Sequence, residues 1–339
     1  MKIRHDGFTW AHGTVATLLL TMACSAPVHA EEESIVVDPT TGDYIITYQG
    51  LDLEANSKWH RVVYVPATKI NPEVKSKFRL NDKYSITYSY KIRNRSESKQ
   101  AIRGFDMRAN HADPATEITP KGWWAIITPG VDKMGQESGF IVGWSFETSD
   151  LYAGLVPGKS QGDFGFESSN LPGVSIAKLR GATEIIGFPD EGPGDDNPIY
   201  LQFRALLFND FVSRPAAVPK IPVPTPFDAA VVLSGLQKHT KDDLVSMQLI
   251  EPAFVAQLDP WFASAIDAAR RNNTEGLRHA IKELRRLLKQ EHGDVDKDDD
   301  GDQDDNKEKK VKSRIDKLAA KVLDFDFKYV EQRVKGDKD

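Results

Sequence analysis

The spacing of apolar residues changes once along this chain, at a cluster of prolines. Before the cluster, short runs alternate apolar and polar residues, as in residues 84–90 (YSITYSY), and Gly, Pro, Asn and Asp separate the runs. After the cluster, apolar residues recur at intervals of three and four. Alternation is typical of strands with one buried face, whereas the longer intervals are typical of amphipathic helices. The sequence therefore predicts an all-β part followed by an all-α part.

Residues 31–213 are predicted to form an antiparallel, immunoglobulin-like β-sandwich. They contain about seven or eight runs rich in β-branched and aromatic residues, including IYLQFRALLF at residues 199–208. No helix-length periodic segment separates these runs, which argues against a parallel α/β sheet. Trp123 and Trp124 begin one apolar run, and two interpretations are open for them: an exposed platform for sugar stacking, or a pair of which at least one lies in the core.

Residues 214–227 are predicted to be a semi-rigid linker, because repeated proline continues neither a helix nor a strand ladder. The prolines are Pro215, Pro219, Pro222, Pro224 and Pro226. Residues 228–339 are predicted to form a small helical bundle. One helix has an apolar stripe of Leu277, Ile281, Leu284, Leu287 and Leu288. Its opposite face is assigned to solvent, or to neutralisation of nearby acids, and carries Arg278, Lys282, Arg285 and Arg286.

Residues 1–30 have the pattern of a secretory signal peptide. The basic start MKIR precedes a short apolar core and a small-residue cleavage pattern that ends at Ala30. A second interpretation is a bacterial lipobox, Thr21-Met22-Ala23-Cys24, in which Cys24 would carry a lipid anchor. The apolar run is too short to remain as a membrane span. Both interpretations predict an exported bacterial-type protein, either secreted or periplasmic, or an outer-membrane lipoprotein.

The acidity of the chain is concentrated in one segment, residues 294–308. This segment holds nine acidic residues and two lysines, while the whole chain has a formal net charge of −6. The rest of the chain is therefore close to neutral. It has no broad basic field of the kind that predicts nucleic-acid binding.

The acidic segment has the residue spacing of a twelve-residue EF-hand-like calcium loop. With Gly301 at the sixth position of that loop, the candidate ligands are Asp296, Asp298, Asp300, Asp302 (through its carbonyl) and Asp304. Ca²⁺ takes six to eight oxygen ligands, and a glycine permits the sharp turn at that position. Lys307 stands at position twelve in place of the bidentate glutamate, so a weak single site is predicted. A solvated acidic spacer is the alternative.

Two stretches of the helical part carry a family resemblance. They are LIEPAFVAQLDPWFASAIDAARRNNTEGLRHAIKELRRLLKQ and RIDKLAAKVLDFDFKYV, which contain alanine-bearing paired helices, a small-residue turn and an apolar stripe. Residues 244–334 thereby resemble the helical FIMAH-type domain found at the end of some secreted bacterial proteins. The resemblance implies a non-catalytic interaction module. This chain differs by inserting the acidic segment between the last two helices.

These features predict a non-catalytic calcium-binding protein with a binding or structural role at the cell surface or in the extracellular matrix. The expected partner is a surface or extracellular polymer or a protein, contacted by a face of the sandwich. No catalytic residue is assigned. The alternative is an extracellular hydrolase that acts on polysaccharide and holds calcium as a structural ion.

Overall fold

A computed structural model describes residues 32–50, 58–81, 84–109, 115–131, 137–147, 150, 152–183, 192–292 and 313–336. The predicted signal peptide with Cys24, and the acidic segment with its candidate ligands Asp296, Asp298, Asp300, Asp302 and Asp304, lie outside the described residues. Within the described ranges the chain forms twelve strands and five α-helices. None of these helices combines the length and the apolar character needed to span a bilayer.

The twelve strands are, in chain order, β1 (Ser34–Val37), β2 (Tyr44–Gln49), β3 (Trp59–Tyr64), β4 (Pro72–Leu80), β5 (Ile86–Asn94), β6 (Ile102–Ala109), β7 (Ala115–Ile118), β8 (Trp123–Val131), β9 (Glu137–Phe146), β10 (Ser160–Ser168), β11 (Leu171–Gly181) and β12 (Val212–Ile221). The helices are α1 (Pro198–Asn209), α2 (Ala229–His239), α3 (Pro252–Arg270), α4 (Thr274–His292) and α5 (Lys317–Gly336). A short π-helix, Thr240–Leu244, directly follows α2.

The strands form three antiparallel sheets, two of which pack against each other around an aromatic core. The strand orders are β1-β2-β3, β4-β5-β10-β7 and β12-β11-β6-β9-β8. The ring centroids of Tyr90 on β5 and Phe105 on β6 are 5.7 Å apart, and those of Phe105 and Trp144 on β9 are 5.3 Å apart. The alternating residues of the predicted strand at 84–90 put Tyr88 and Tyr90 into this core. The two larger sheets therefore form a sandwich-like body.

The first eight residues of the predicted linker belong instead to β12, which pairs with β11 along its whole length. Pro215 and Pro219 are tolerated there because β12 is an edge strand. Proline has no N–H group to donate, and on the outer side of an edge strand no further strand requires that donor. Side chains of the neighbouring sheet cover that side. The Tyr90 hydroxyl donates to the Ala217 carbonyl at 2.8 Å, and the Ala217 N–H donates to Ser76 Oγ at 3.0 Å.

The predicted strand at 199–208 is wrong, because these residues form α1. The Asn197 side chain caps the helix by accepting from the N–H of Ile199 at 2.7 Å, and Pro198 occupies the first turn. Ile199 and Phe203 lie one turn apart and are buried against the three-stranded sheet. Together they make a small second core, in which the rings of Phe203 and Tyr64 meet edge to face at 5.1 Å.

The helices after β12 share the core of the two larger sheets. The predicted stripe on α4 is buried at Leu277, Ile281, Leu284 and Leu288, and Leu287 is partly buried against the same cluster. Helix α5 contacts the sheets directly, because the rings of Phe325 and Phe78 on β4 lie 5.0 Å apart. The Arg333 guanidinium lies 4.3 Å from the ring centre of Tyr84 and 4.6 Å from that of Phe227. Packing of this kind fixes the helices against the sheets.

A buried histidine joins α2 to β11. His239 is 2% exposed, and its Nε2 accepts a hydrogen bond of 3.0 Å from the Val174 N–H. Its Nδ1 lies 2.7 Å from Asp243 Oδ2 in the π-helix, which also pairs with Lys220 of β12 at 3.1 Å. Because Nε2 accepts, Nδ1 carries the proton and donates to Asp243.

Two buried aspartates on α5 differ in their partners, and this difference gives a test of stability. Asp324 pairs with Arg285 at 2.7 Å and with Lys328 at 2.9 Å. Asp326 is fully buried, and neither of its oxygens hydrogen-bonds to a group in the described ranges. Burial raises the pKa of Asp326 well above its usual range. A folded-state pKa above the unfolded value of 3.8 means that stability is lost as pH rises from that value through the folded pKa.

Asp326→Asn is therefore expected to raise the free energy of unfolding at pH 7 by about 1–3 kcal/mol, because the neutral amide needs no proton on folding. Urea unfolding at pH 4 and pH 7 measures it, with a smaller gain expected at pH 4. Asp324→Asn is the matched control and is expected to destabilise, since it leaves Arg285 and Lys328 without their shared carboxylate. A loss of stability in Asp326→Asn at pH 7 would contradict the expected cost of keeping the buried carboxyl protonated.

Candidate functional site

The five-stranded sheet turns one face to the core and the other outward, and the outward face brings four strands into register. Antiparallel partners on neighbouring strands share a face, so the pairing defines rows of side chains across the sheet. Two rows cross β11, β6, β9 and β8: Arg180, Gly104, Ser145, Trp124; then Lys178, Asp106, Gly143, Ile126. A third row crosses β6, β9 and β8: Arg108, Ile141, Thr128. We call this surface the outer face.

The centre of the outer face lacks large side chains. Gly104 on β6 and Gly143 on β9 carry no side chain, and Ser145 on β9 has a small one. We call the patch formed by these three residues and its surroundings the basin, with the patch as its floor. The floor spans two adjacent strands, which lie about 4.8 Å apart. A Cβ atom at Gly143 would lie 3.3 Å from the Cβ of Asp106, which shows how closely the acid stands beside the floor.

One wall of the basin is apolar and exposed. Trp124 is 43% exposed and Ile126 is 40% exposed, both on β8. The neighbouring Trp123 points inward and is 6% exposed, with its ring centroid 4.9 Å from that of Phe164. The sequence-based interpretation that at least one tryptophan of the pair lies in the core is thus confirmed, and Trp124 remains available as the platform. An exposed aromatic face beside a shallow floor suits a flat ligand that is apolar on one side.

The opposite wall is charged. Burial raises the pKa of Asp106, and the nearby cations Arg180 and Lys178 act in the lowering direction without offsetting it. The Lys178 ammonium also lies 4.2 Å from the ring centre of Phe211. A carboxyl of this kind accepts hydrogen bonds from ligand hydroxyls when ionised and donates one when protonated. The basin therefore pairs a stacking surface with a hydrogen-bonding acid.

A second concave surface lies between α4 and α5. This groove of about 710 Å³, the α4 groove, is lined by Glu275, Arg278, His279, Lys282, Arg285, Arg286, Lys289, Gln290 and Glu331. Five cations and two carboxylates give these residues a net charge of +3 with the histidine neutral. The side chains that the sequence assigned to solvent thus line one groove with cations.

The ends of the predicted calcium segment are held together by residues that the structure does describe. Arg314 Nη2 lies 2.7 Å from Glu291 Oε1, and Ser313 Oγ lies 3.0 Å from His292 Nε2. The helices on either side are therefore joined without help from an ion. Within the described ranges, no three His, Cys, Asp or Glu side chains are grouped so that they could hold a metal.

No protein-family model matches this chain, and no curated protein matches its sequence. The FIMAH-type resemblance thus stays a prediction, and a functional assignment depends on the surfaces themselves. Sequence reasoning missed Asp106, Gly104 and Gly143. Their signal was present but weak: each is a small or polar residue at an outward position of a strand whose inward neighbours are large and apolar.

Proposed function

We propose that this chain is an exported, non-catalytic protein that binds a polysaccharide of the cell surface or extracellular matrix in the basin. In this proposal the sandwich is of the immunoglobulin-like type, the helices form a bundle that acts as an interaction module, and Ca²⁺ binds the acidic segment. The observation that carries the proposal is the exposed Trp124 on β8, two strands from Asp106 on β6 on the same face of the sheet, with Gly104 and Gly143 beside them.

Sugar rings are apolar on their C–H faces and carry hydroxyls at their edges. Trp124 supplies a flat apolar surface for the C–H face of a sugar ring. Asp106 and Arg180 supply hydrogen-bond acceptors and donors for the hydroxyls at its edge. Gly104 and Gly143 let the ring approach the sheet, since a side chain at either position would fill the basin. Binding sites of this type combine mostly apolar contacts with a few placed polar groups.

Trp124→Ala is expected to weaken binding of a cognate oligosaccharide about 30-fold, which corresponds to about 2 kcal/mol for a central aromatic contact. The melting temperature is expected to stay unchanged because the ring is largely outside the core. Isothermal titration with a panel of neutral and acidic oligosaccharides measures the affinity. Trp59→Ala, which removes a tryptophan that is 38% exposed on β3, is the matched control. Equal affinities of the two variants would remove the basin from the proposal.

Calcium binding to the acidic segment is expected to be weak, with a dissociation constant of about 10⁻³ M. At about ten times that concentration, Ca²⁺ would stabilise the fold by about 1.4 kcal/mol, or about 2–4 °C in the melting temperature. The gain is modest because the expected affinity is weak. Titration calorimetry with Ca²⁺ measures the binding, with Mg²⁺ at equal ionic strength and an Asp298→Asn/Asp300→Asn variant as controls. No heat at millimolar Ca²⁺ would leave the segment as an acidic spacer.

One observation favours the hydrolase alternative. The raised pKa of Asp106 is the property that a general acid in glycoside hydrolysis needs. Hydrolysis also needs a second carboxyl within about 10 Å, which the rows of the outer face do not supply. Release of reducing ends from a bound polysaccharide by the wild type, abolished in Asp106→Asn, would replace the binding proposal with this one.

A further inference from the structure

The α4 groove carries positive charge on a chain whose net charge is −6. We infer that this groove binds an anionic polysaccharide, a linear polymer that carries carboxylate or sulfate groups together with free hydroxyls. The groove is built from α4 and α5, whereas the basin is built from β6, β8, β9 and β11. The inference therefore does not depend on the proposed function.

The cations of the groove repeat along one helix face. Arg278, Lys282, Arg285 or Arg286, and Lys289 follow one another at intervals of three or four residues, which places them on the same side of α4. A rise of 1.5 Å per residue makes the row about 16 Å long, with a cation about every 5–6 Å. A linear polyanion that lies along α4 meets a positive side chain at every step.

The cations differ in how far they are already neutralised. Arg285 pairs with Asp324 at 2.7 Å, and Arg286 pairs with Glu283 at 2.7 Å. Within the described ranges, neither Arg278 nor Lys282 has a hydrogen bond or salt bridge, and both side chains are exposed. An anion that binds Arg278 and Lys282, at the end of the groove nearest the start of α4, therefore replaces no salt bridge in the described ranges.

The composition of the groove favours an anionic polysaccharide over a nucleic acid. Single-stranded nucleic acid binds through aromatic platforms, and the described lining offers no Phe, Tyr or Trp ring. Duplexes need many phosphate contacts over a broad basic surface. Glu275 and Glu331 line the same groove, and phosphates offer no donors to their carboxylates. Their oxygens accept hydrogen bonds from sugar hydroxyls, so a polymer with spaced charges and hydroxyls matches both kinds of side chain.

The test is binding of polygalacturonate to the full chain at low ionic strength, measured by affinity electrophoresis. The variant Arg278→Gln/Lys282→Gln is expected to bind about tenfold more weakly, and added salt is expected to weaken wild-type binding further. Lys121→Gln/Lys159→Gln removes the same charge from exposed sites on the sandwich and is expected to bind like the wild type. Thermal melts confirm that both double variants are folded.

Four results would overturn the inference. The first is absence of wild-type binding, and the second is equal weakening by the two double variants. The third is tighter binding of single-stranded or duplex DNA than of polygalacturonate. The fourth is binding that occurs only when the acidic residues at 294–308 are replaced by neutral ones. The last result would show that the groove serves the chain's own acidic segment. Trp124→Ala is expected to leave polygalacturonate binding unchanged. Failure of the basin proposal can therefore be distinguished from failure of this inference.

Discussion

Replacement of His239 by alanine is expected to lower the free energy of unfolding by about 3–5 kcal/mol. The change leaves the Val174 N–H buried without an acceptor, which costs about 1–3 kcal/mol, and opens a cavity where the ring stood. It also removes the donor to Asp243, whose carboxylate then retains Lys220 alone. The ring is tightly packed, because the backbone of β11 approaches it closely at Gly173. A Cβ atom there would lie 3.1 Å from His239 Nε2 and 2.7 Å from the Cβ of Lys220.

Chemical denaturation at neutral pH measures the loss, and two further variants separate its causes. His279→Ala removes an exposed imidazole that contacts Trp261 and is expected to cost less than about 0.5 kcal/mol. His239→Gln places an amide oxygen near the position of Nε2 and is expected to recover part of the stability. If His239→Ala lowered the free energy of unfolding no more than His279→Ala does, the junction between α2 and β11 would not contribute to stability.

The same histidine makes the fold sensitive to acid. Burial lowers the pKa of His239 below 6.5, and nearby Lys220 adds to the lowering. Since the unfolded state binds a proton more readily, stability is complete above about pH 6.5 and is lost as pH falls through the folded pKa. A proton on Nε2 would place an N–H donor against the Val174 N–H, which is also a donor, and the hydrogen bond between them would be lost. The hydrogen bond from His239 lowers the pKa of Asp243 to about 2, so its contribution is lost in a lower window, from pH 3.8 downward.

Local patterns allowed prediction of about half of the strands and of most helices. The described residues form twelve strands where about seven or eight were predicted, β12 was predicted as a linker, and one predicted strand is α1, where two local signals conflict. Alternation placed Tyr88 and Tyr90 in the core correctly, because one buried face imposes a period of two. Residues 199–208 are as aromatic and aliphatic as a strand, yet Asn197 and Pro198 start a helix, and Ile199 and Phe203 lie four residues apart on its buried side. The cap and the spacing carried the correct signal, and composition carried the wrong one.

The basin was beyond prediction for a different reason. Gly104 and Gly143 lie on different strands, and only the pairing of Gly104 with Ser145 and of Asp106 with Gly143 brings them to one place. Register between distant segments depends on the whole sheet, so a single sequence does not specify it. The α4 groove could be predicted from the sequence in part. Its cations follow from helical spacing within α4, but Glu331 joins them only through the packing of α5.

Trp144→Ala is expected to destabilise the fold by about 3–5 kcal/mol, the range for loss of a buried large aromatic side chain. Trp144 is 1% exposed and contacts the rings of Phe105, Phe164 and Tyr90, so it touches both larger sheets. It also lies between Gly143 and Ser145 on β9, and its anchoring in the core is what turns those two residues outward to the basin floor.

The two tryptophans on opposite faces of the same sheet are therefore expected to separate stability from binding. Trp144→Ala should shift the denaturation midpoint strongly, whereas Trp124→Ala should shift it by less than about 0.5 kcal/mol in free energy and act on ligand affinity alone. Denaturant unfolding of both variants, with affinity measured under conditions where each is folded, tests the separation. A large loss of stability in Trp124→Ala would mean that its ring is covered by other parts of the chain, and the basin would then not be open to a ligand.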